Sequence, residues 1–329
     1  MKQALIVGGG SIGERHLRCF LDTSRVTASI CDVNESLVAS LKEKYKLGDC
    51  FTDFDKALDS KPDMVVICTP AHLHIPMAQA CADRGIPVLI EKPLSTNFDG
   101  IDKLITTVKE KNLPVAVAYV TRANPILQDF RKTIQSERFG KPVQLVFTSG
   151  QHFPFYRPAY KEIYYNNRAT GGGAIQDALT HGLNYCEWLI GPITKLVADA
   201  DHKVLEGVEV EDTVHVIARH NNVMASYTLN QYQAPNDMVL TVACTEGTLR
   251  YEPTEFRWSW QVDPAGHWTH VEFPPMERDD GFVAQAEAFV DLCEGKAEPL
   301  CSLEDGYQTL KANLAILNAL DSTNWQKLS

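Results

Sequence analysis

The sequence predicts two domains, an α/β domain built on a doubly wound parallel sheet and an α+β domain built on a large, mostly antiparallel open sheet. Two observations lead to this prediction. Over the first 120 residues or so, short apolar runs alternate with segments whose apolar residues have helical spacing. The rest of the chain is dominated by successive strands framed by helices. A chain of 329 residues is long enough for two domains.

Five apolar runs in the first part predict strands. They lie at residues 3–7, 26–31, 64–68, 88–90 and 115–119. Apolar residues in the segments between them recur every three or four positions, which is typical of helices packed on a core. Strands that alternate with helices of about 10–15 residues predict βαβ units, and these units build a parallel sheet.

The second part has a different order of elements. The pattern predicts a helix at about 124–137, a strand at 142–149, an aromatic loop at 151–170, a helix from 171 to about 190, strands between 193 and 273, and helices at about 280–294 and 303–320. Short strands that follow one another through tight turns predict an antiparallel sheet, with one face covered by helices. The predicted domains are residues 1–121 and 122–329, and the last helix could pack back on the first domain.

The composition excludes several classes of partner. The net charge is −11, and the sequence contains no run of Lys or Arg, so neither nucleic acid nor an anionic membrane surface is an expected partner. A stretch of about 18 apolar residues, which a membrane span would require, is absent from the sequence. Nine dispersed cysteines without a CxxC pair predict reduced thiols in the cytoplasm, and no zinc spacing predicts a metal site.

A glycine-rich loop follows the first predicted strand. Gly8, Gly10 and Gly13 fit the pattern G-x-G-x-x-G, with Ser11 and Ile12 inside it. The first glycine permits a tight turn, the second lets the backbone approach a pyrophosphate, and the third lets the helix pack against the strand. The helix N-terminus provides N–H donors for phosphates. With a strand before it and a helix after it, this loop predicts a Rossmann dinucleotide-binding domain.

An acidic residue ends the second predicted strand. Asp32 stands nineteen residues beyond Gly13, where a carboxylate accepts hydrogen bonds from the adenosine ribose. The same carboxylate would repel a 2′-phosphate, and no Arg follows it, which favours NAD over NADP. The alternative for Asp32 is a loop or capping residue. Arg15 could approach the phosphates or remain a solvated helix residue.

Two further motifs contain candidate catalytic residues. Glu91-Lys92-Pro93 follows the fourth strand, and ligands of open parallel sheets bind beyond the carboxyl ends of the strands. Lys92 is therefore expected beside the cofactor, the alternative being a surface lysine. Asp177 and His181 follow Gly171–Gly173 at i,i+4 spacing, so they share one helix face. A histidine is a natural base at neutral pH, although an isolated helix histidine is more often structural.

Taken together, these motifs resemble the glucose–fructose oxidoreductase/inositol dehydrogenase (Gfo/Idh/MocA) family over nearly the whole chain. The resemblance rests on GGGSIG at 8–13, TPAHLH at 69–74, EKPLS at 91–95 and GGGAIQDALTH at 171–181. It implies an N-terminal Rossmann domain and a C-terminal α+β domain, whose open sheet often forms an oligomer interface. The implied assembly is a homodimer or homotetramer through the C-terminal sheet.

The resemblance also implies residue roles. Lys92 would hold the reacting hydroxyl, Asp177 would bind a substrate hydroxyl, and His181 would be the general base. The implied contacts to the cofactor, beyond the glycine loop and Asp32, are Thr69, Pro70, His72, His74, Glu91 and Lys92. Tyr119 and Arg122 follow the last strand of the first domain and could reach the substrate.

The aromatic loop before the Asp177 helix is a candidate substrate pocket. Its candidate substrate-binding residues are His152, Tyr156, Arg157, Tyr164 and Arg168. Aromatic rings stack on the C–H faces of sugars, while hydroxyl and guanidinium groups bond to sugar hydroxyls, so the loop suits a carbohydrate or polyol. The alternative is that about half of these aromatic residues only anchor the loop.

The function expected from this resemblance is NAD-dependent oxidation of a secondary alcohol of a sugar, sugar derivative or cyclitol, by hydride transfer to nicotinamide. One alternative is a redox-neutral glycosidase or epimerase-type enzyme that retains NAD and acts through a keto-sugar. Another is a non-catalytic nucleotide-sensing regulator, which the presence of Lys92, Asp177 and His181 disfavours.

Overall fold

The apolar runs of the first part form a five-stranded parallel sheet in a computed structural model that describes residues 1–320, 322 and 324–328. Its strands are β1 (Lys2–Val7), β2 (Val26–Cys31), β3 (Met64–Ile67), β4 (Val88–Ile90) and β5 (Val115–Val117). The order across the sheet is β2-β1-β3-β4-β5. The strands are continuous apolar runs because helices cover both faces of such a sheet, so side chains pointing either way are buried.

Helices connect these strands. The helices of the first part are α1 (Ser11–Asp22), α2 (Glu35–Tyr45), α3 (Phe54–Asp59), α4 (His74–Asp83) and α5 (Ile101–Lys111). Short 3₁₀ turns lie at Ala71–Leu73 and Val120–Ala123. Because β2 lies on one side of β1 and β3 on the other, the connections after β1 and β3 diverge at a topological switch point. Ligands of doubly wound sheets bind at this point.

The chain folds into two units. Unit 1 contains Met1–Ala123 and Glu277–Tyr307, and unit 2 contains Asn124–Met276 and the described residues from Gln308 onward. The first segment of unit 1 ends at Ala123, close to the predicted boundary between residues 121 and 122. Segment Glu277–Tyr307 was expected in the second domain and belongs to unit 1, whereas positions 321, 323 and 329 of that domain lie outside the described residues.

Unit 2 is built on a nine-stranded sheet in the order β13-β12-β11-β10-β6-β9-β8-β7-β14. The strands are β6 (Pro142–His152), β7 (Lys195–Asp201), β8 (Thr213–His220), β9 (Val223–Asn230), β10 (Tyr232–Cys244), β11 (Thr248–Glu252), β12 (Arg257–Gln261), β13 (Thr269–Glu272) and β14 (Gln326–Lys327). Only β6 and β9 pair in parallel among the described strands of this sheet. The predicted fold class is confirmed.

The remaining helices complete the two units. They are α6 (Pro125–Gln135), α7 (Phe153–Tyr156), a π-helical segment (Ile175–Leu179), α8 (Thr180–Ile190), α9 (Asp280–Cys293) and α10 (Leu303–Leu320), with 3₁₀ turns at Tyr160–Glu162, Tyr164–Asn166, Arg168–Thr170 and Pro253–Glu255. Apolar residues of α6, α8 and α10 share one core with the inward residues of the sheet, such as Phe147. In unit 1, α9 joins the core of the parallel sheet through Ala286, Phe289 and Val290.

No helix within the described part of the chain is long and apolar enough to cross a membrane. All nine cysteines have free thiols.

Candidate active site

The glycine loop of unit 1 packs the start of α1 against the sheet. Gly8 has φ +94°, and a Cβ there would lie 2.8 Å from the Cys68 carbonyl oxygen. A Cβ on Gly13 would lie 1.8 Å from the Gly8 carbonyl oxygen, so the helix could not approach the turn this closely with any other residue. A Cβ on Gly10 would meet nothing within 4 Å, so the backbone here borders open space.

The first turn of α1 has the features of an anion-binding helix terminus. Gly10 caps the helix without a side-chain hydrogen bond, and Ser11, the first helical residue, is exposed. Ile12 is half-buried. The backbone N–H groups of this turn therefore meet no capping side chain, and they lie beside the open space at Gly10. These residues fit the pyrophosphate of a dinucleotide.

Asp32 is connected to the glycine loop by a hydrogen bond. Its Oδ2 accepts from the Gly9 N–H at 2.6 Å, and its Oδ1 accepts from the Asn34 N–H at 2.9 Å. Asp32 is half-buried, and Val33 beside it is 90% exposed. The carboxylate is thus fixed at the edge of the sheet next to the loop, where the sequence predicts the adenosine ribose.

The second predicted cofactor loop follows β3. Thr69 is half-buried, while Pro70 and His72 are exposed. His74, in contrast, is 1% exposed, and its ring nitrogens lie 2.7 Å from the Thr69 carbonyl oxygen and 2.9 Å from the Pro93 carbonyl oxygen. Burial lowers the pKa of His74, so the neutral ring donates to one carbonyl at a time. The buried His74 ring therefore connects the turn after β3 to the turn after β4.

The turn after β4 places Lys92 at the carboxyl ends of the parallel strands, the edge where the glycine loop also lies. Lys92 is half-buried and lies two residues beyond the end of β4. Glu91 is buried, and its Oε1 lies 2.7 Å from His16 Nε2, while its Oε2 accepts from the Lys92 N–H at 2.8 Å. The sequence reasoning missed His16, which looked like one more residue on the inner face of α1. The only sequence signal would have been its polar ring among apolar neighbours.

Glu91 is charged despite its burial. Burial by itself would raise the pKa of this carboxyl group. The hydrogen bond from His16 and the charges of His16 and Lys92 outweigh that effect, and the pKa of Glu91 lies below its ordinary value. The carboxylate can therefore only accept hydrogen bonds, so His16 Nε2 carries the proton in their contact.

Of three residues considered for ligand contacts, Arg15 and Arg122 have other partners in unit 1, and Tyr119 is buried there. Tyr119 and Arg122 are each 1% exposed, and Arg122 donates to Asp305 Oδ2 at 2.6 Å and to the Leu300 carbonyl oxygen at 3.1 Å. This placement gives no support to the prediction that they bind substrate. Arg15 Nε lies 3.2 Å from Asp279 Oδ1, and the guanidinium lies over the Phe282 ring. The positive charge of Arg15 is therefore already paired.

In unit 2, the three-glycine turn packs against a buried carboxylate. Gly173 has φ +89°, and a Cβ there would lie 2.4 Å from Glu211 Oε1. The side chain of Glu211 has no exposed area, and its Oε1 accepts from the Ile175 N–H at 3.1 Å. The glycine therefore allows the turn to close over Glu211.

The segment after this turn carries Asp177 and His181. Residues Ile175–Leu179 are π-helical, and α8 begins at Thr180, so the predicted continuous α-helix starts with a wider turn. Asp177 and His181 are both half-buried. Tyr164 of the aromatic loop donates its hydroxyl proton to Asp177 Oδ1 at 2.6 Å. Single π-helical turns frequently occur at functional sites.

The aromatic loop divides into an anchoring part and an exposed part. Phe153, Tyr160 and Tyr165 form a small core with apolar residues of the segment before β8. By contrast, the predicted substrate residues with exposed side chains are His152, Tyr156, Tyr164 and Arg168, and Arg157 is half-buried. The anchoring alternative therefore holds for Phe153, Tyr160 and Tyr165, and substrate binding by the exposed residues stays a prediction.

Charges around the loop are paired within unit 2. Arg168 Nε donates to Glu211 Oε2 at 2.7 Å. Burial, followed by the negative charges of Asp177 and Glu211, raises the pKa of Tyr165 well above its ordinary range. Tyr165 is therefore a neutral donor, and its hydroxyl binds Gln231 Oε1.

In the part of the chain that the structure describes, no three His, Cys, Asp or Glu residues are grouped so that they could hold a metal ion.

Comparison with known families agrees with this description of both units. Residues 2–119 match the oxidoreductase family with an NAD-binding Rossmann fold, Gfo/Idh/MocA, and residues 127–250 match the C-terminal domain of the same family. The chain belongs to the Gfo/Idh/MocA family. As a member of this family, it is an oxidoreductase with an NAD-binding domain, as the sequence predicts.

Curated relatives of this Gfo/Idh/MocA protein match it over almost its full length. A levoglucosan dehydrogenase of Pseudarthrobacter phenanthrenivorans is 24% identical, with 97% of this chain and 96% of the relative covered. A myo-inositol 2-dehydrogenase of Thermotoga maritima is 23% identical, with 98% and 97% covered. A solved levoglucosan dehydrogenase in complex with NADH superposes with a TM-score of 0.90 at 20% identity, over 100% of this chain and 99% of that one.

Proposed function

We propose that this Gfo/Idh/MocA protein is an NAD-dependent dehydrogenase that oxidises a secondary alcohol of a sugar, sugar derivative or cyclitol. The observation that carries the proposal is the position of Lys92. Its backbone lies two residues beyond β4, at the edge of the parallel sheet that also presents the glycine loop. A lysine at this edge can donate to a substrate hydroxyl next to a bound nicotinamide.

We assign cofactor binding to residues of unit 1. The N–H groups of the first turn of α1, beside Gly10, would hold the pyrophosphate, and Asp32 would accept from the adenosine ribose. The chemistry that bound NAD supplies is acceptance of the hydrogen and electron pair that leave the alcohol carbon. The carboxylate of Asp32 favours NAD over NADP, because a 2′-phosphate beside it would be repelled.

We assign proton chemistry to Lys92, Asp177 and His181. Oxidation of an alcohol releases the hydroxyl proton, and a histidine with an ordinary pKa near 6.5 can accept it at neutral pH. Lys92 would donate a hydrogen bond to a substrate hydroxyl and stabilise the negative charge that develops on its oxygen. Asp177, already oriented by Tyr164, would accept from a substrate hydroxyl.

The substrate class is inferred from the relatives and the aromatic loop. Relatives of this chain act, by their names, on levoglucosan, myo-inositol and D-xylose. The exposed rings of Tyr156 and Tyr164 offer faces for sugar C–H groups, and Arg157, Arg168 and His152 offer donors for hydroxyls. A polyhydroxylated ring fits these groups better than a simple aliphatic alcohol does.

A substrate panel tests this proposal. We expect the protein to reduce NAD, and NADP more slowly, with at least one of levoglucosan, myo-inositol, D-xylose and D-glucose. Lys92→Ala should lower kcat/KM at least a hundredfold, whereas Lys103→Ala, which removes an exposed lysine of α5, should leave it unchanged. Intact NAD binding without cofactor reduction by any sugar would contradict the dehydrogenase proposal. Cofactor that copurifies with the protein and is not exchanged would then favour a redox-neutral enzyme.

We also propose a cytoplasmic homodimer or homotetramer assembled through the sheet of unit 2. Val146, Ser226 and Ile217 lie side by side on β6, β9 and β8, on the face opposite the core. Val146 is 37% exposed and Ile217 is 55% exposed. Light scattering should give two or four subunits, and Ile217→Glu should shift the protein towards monomers. A monomeric wild-type protein would contradict this assembly.

A further inference from the structure

A buried hydrogen bond connects the glycine-loop helix to the turn that carries Lys92. His16 Nε2 lies 2.7 Å from Glu91 Oε1, and the two side chains are 1% and 6% exposed. The residues are 75 positions apart in the chain, so the fold alone brings them together. A buried charged group destabilises the folded protein unless it is paired and hydrogen-bonded. Stability alone therefore gives little reason for a buried carboxylate at this position.

Both partners are held in place. The His16 ring meets the Phe282 ring edge-on, with 5.5 Å between centroids, and it lies 6.4 Å from the Phe20 ring. Glu91 continues β4, since its N–H donates to the Ile67 carbonyl oxygen at 2.9 Å. The carboxylate therefore sits between a fixed imidazole and a fixed strand end, and its position is determined from two sides.

The second carboxylate oxygen acts on Lys92. Glu91 Oε2 accepts from the Lys92 N–H at 2.8 Å. This hydrogen bond fixes the backbone at the residue whose amine is proposed to hold the reacting hydroxyl. A small displacement of a group that positions a substrate can lower the rate by a large factor.

We propose that His16 and Glu91 are a positioning pair for Lys92, with Glu91 orienting the Lys92 backbone and His16 orienting Glu91. The inference rests on the proposed function, in which Lys92 contacts the substrate. Neither His16 nor Glu91 needs to touch the substrate in this arrangement. The pair acts through the backbone of Lys92.

The first test needs no substrate. Glu91→Leu removes the acceptor for the Lys92 N–H, and we expect hydrogen–deuterium exchange of that amide to become at least tenfold faster. Leu17→Ala, which removes buried packing from α1 next to His16, is the matched control and should leave this exchange rate unchanged. An unchanged Lys92 exchange rate in Glu91→Leu would overturn the proposal.

The second test uses the best sugar of the four-member panel. Glu91→Leu should lower kcat at least tenfold while the Kd for NAD changes less than threefold. In a Lys92→Ala background the same change should cause no further loss, because the two residues act through one group. Additive losses would overturn the proposal.

A conservative variant keeps the proposal testable if Glu91→Leu does not fold. Glu91→Gln retains an oxygen acceptor for the Lys92 N–H. We therefore expect kcat to fall less than tenfold, and the Lys92 amide should stay protected from exchange. A tenfold or larger fall in kcat in Glu91→Gln, or loss of protection at the Lys92 amide, would contradict a role through this hydrogen bond. If Lys92→Ala retains full activity, the proposed function itself fails. If Lys92→Ala is inactive but Glu91→Leu and Glu91→Gln are normal, only the positioning inference fails.

Discussion

A hydrogen bond connects Tyr164 of the aromatic loop to Asp177, a predicted catalytic residue. The hydroxyl donates to the carboxylate at 2.6 Å, although Tyr164 is 42% exposed. A hydrogen bond to a charged group typically contributes about 1.5–3 kcal/mol. If Asp177 binds a substrate hydroxyl, the bond from Tyr164 fixes the carboxylate in the orientation that the substrate meets.

Tyr164→Phe tests this contact. We expect kcat/KM for the sugar to fall about tenfold, because the loss of a bond of at least about 1.4 kcal/mol corresponds to a factor of ten. Steady-state kinetics with the best panel sugar measure the change. Tyr45→Phe is the matched control, since Tyr45 also donates to a carboxylate, Glu14 Oε1 at 2.8 Å. Equal effects of the two substitutions on kcat/KM, or no effect of Tyr164→Phe, would contradict a role of Tyr164 in orienting Asp177.

His74 connects the turn after β3 to the turn after β4. We expect His74→Leu to raise the Kd for NAD about tenfold, because both turns lose the ring that lies between their carbonyl groups. Titration calorimetry with NAD measures the change. His220→Leu removes an equally buried histidine from unit 2 and should leave the NAD affinity unchanged. An unchanged affinity in His74→Leu would mean that the two turns are held by other contacts.

Sequence reasoning at the residue scale succeeded where a motif placed a residue on a known edge. Lys92 follows β4 and Gly8 follows β1, as their strand contexts predict. It failed where partners are distant in the chain. Arg122 is 183 positions from Asp305, so its burial could not be predicted from its neighbours. The His16–Glu91 contact has the same origin, since it depends on how α1 packs beside β4.

At the scale of elements, the two glycine turns show how local backbone geometry determines packing. Gly173 is in the left-handed region, and its α-hydrogen faces Glu211 at a distance that excludes a methyl group. Gly48, in contrast, has no atom within 4 Å of an added Cβ. The two positions therefore make a matched pair for substitution by alanine.

Gly173→Ala should destabilise the protein by at least about 2 kcal/mol, because left-handed backbone costs about 1–2 kcal/mol for a residue with a Cβ and the methyl group also collides with Glu211. Calorimetry should show the melting temperature falling by about 4 °C or more. Gly48→Ala should change it by less than about 1 °C on the same scale. Equal melting temperatures for the two variants would contradict the close approach at Gly173.

Element types were predictable because periodicity differs between strands and helices. All five strands of the parallel sheet fall on predicted apolar runs. The missed elements include α3, α7 and β14, which are short and carry too few residues to show a period. The π-helical turn at Ile175–Leu179 was also missed, because five residues with helical spacing do not distinguish a π-helix from an α-helix.

At the scale of the whole molecule, sequence periodicity does not determine which unit a helix joins. Helix α9 has the apolar spacing of an ordinary surface helix, and only its packing against the parallel sheet places it in unit 1. The change of pattern near residue 120 did predict where the parallel sheet ends. The family match confirms the Rossmann fold of the first part, and the nine-stranded sheet confirms the α+β description of the second.

Stability should depend on pH through His220 of unit 2. Its Nδ1 donates to the Gly191 carbonyl oxygen at 2.6 Å, and its Nε2 accepts from the Tyr227 hydroxyl at 2.5 Å, which requires a neutral ring. Burial lowers the pKa of His220 to about 4. The unfolded chain, with a histidine pKa near 6.5, therefore binds a proton that the folded protein excludes.

The sign of this dependence follows from the lowered pKa. The contribution of His220 is fully present above about pH 6.5 and is lost as the pH falls towards about 4, a change of about 3 kcal/mol. Melting temperatures of wild type and His220→Gln at several pH values in this window measure it. We expect a flatter profile for the variant. Parallel profiles would show that another group is responsible for the acid sensitivity.

The proposed reaction removes hydrogen from a carbon of a sugar or cyclitol and transfers it to NAD. The most direct test uses levoglucosan, myo-inositol, D-xylose and D-glucose, each carrying deuterium on every carbon, with mass spectrometry of the cofactor after turnover. We expect wild type to give reduced NAD that contains one deuterium atom, and Lys92→Ala to give almost no reduced NAD. Reduced NAD without deuterium, or no reduced NAD from a protein that binds the cofactor, would contradict it.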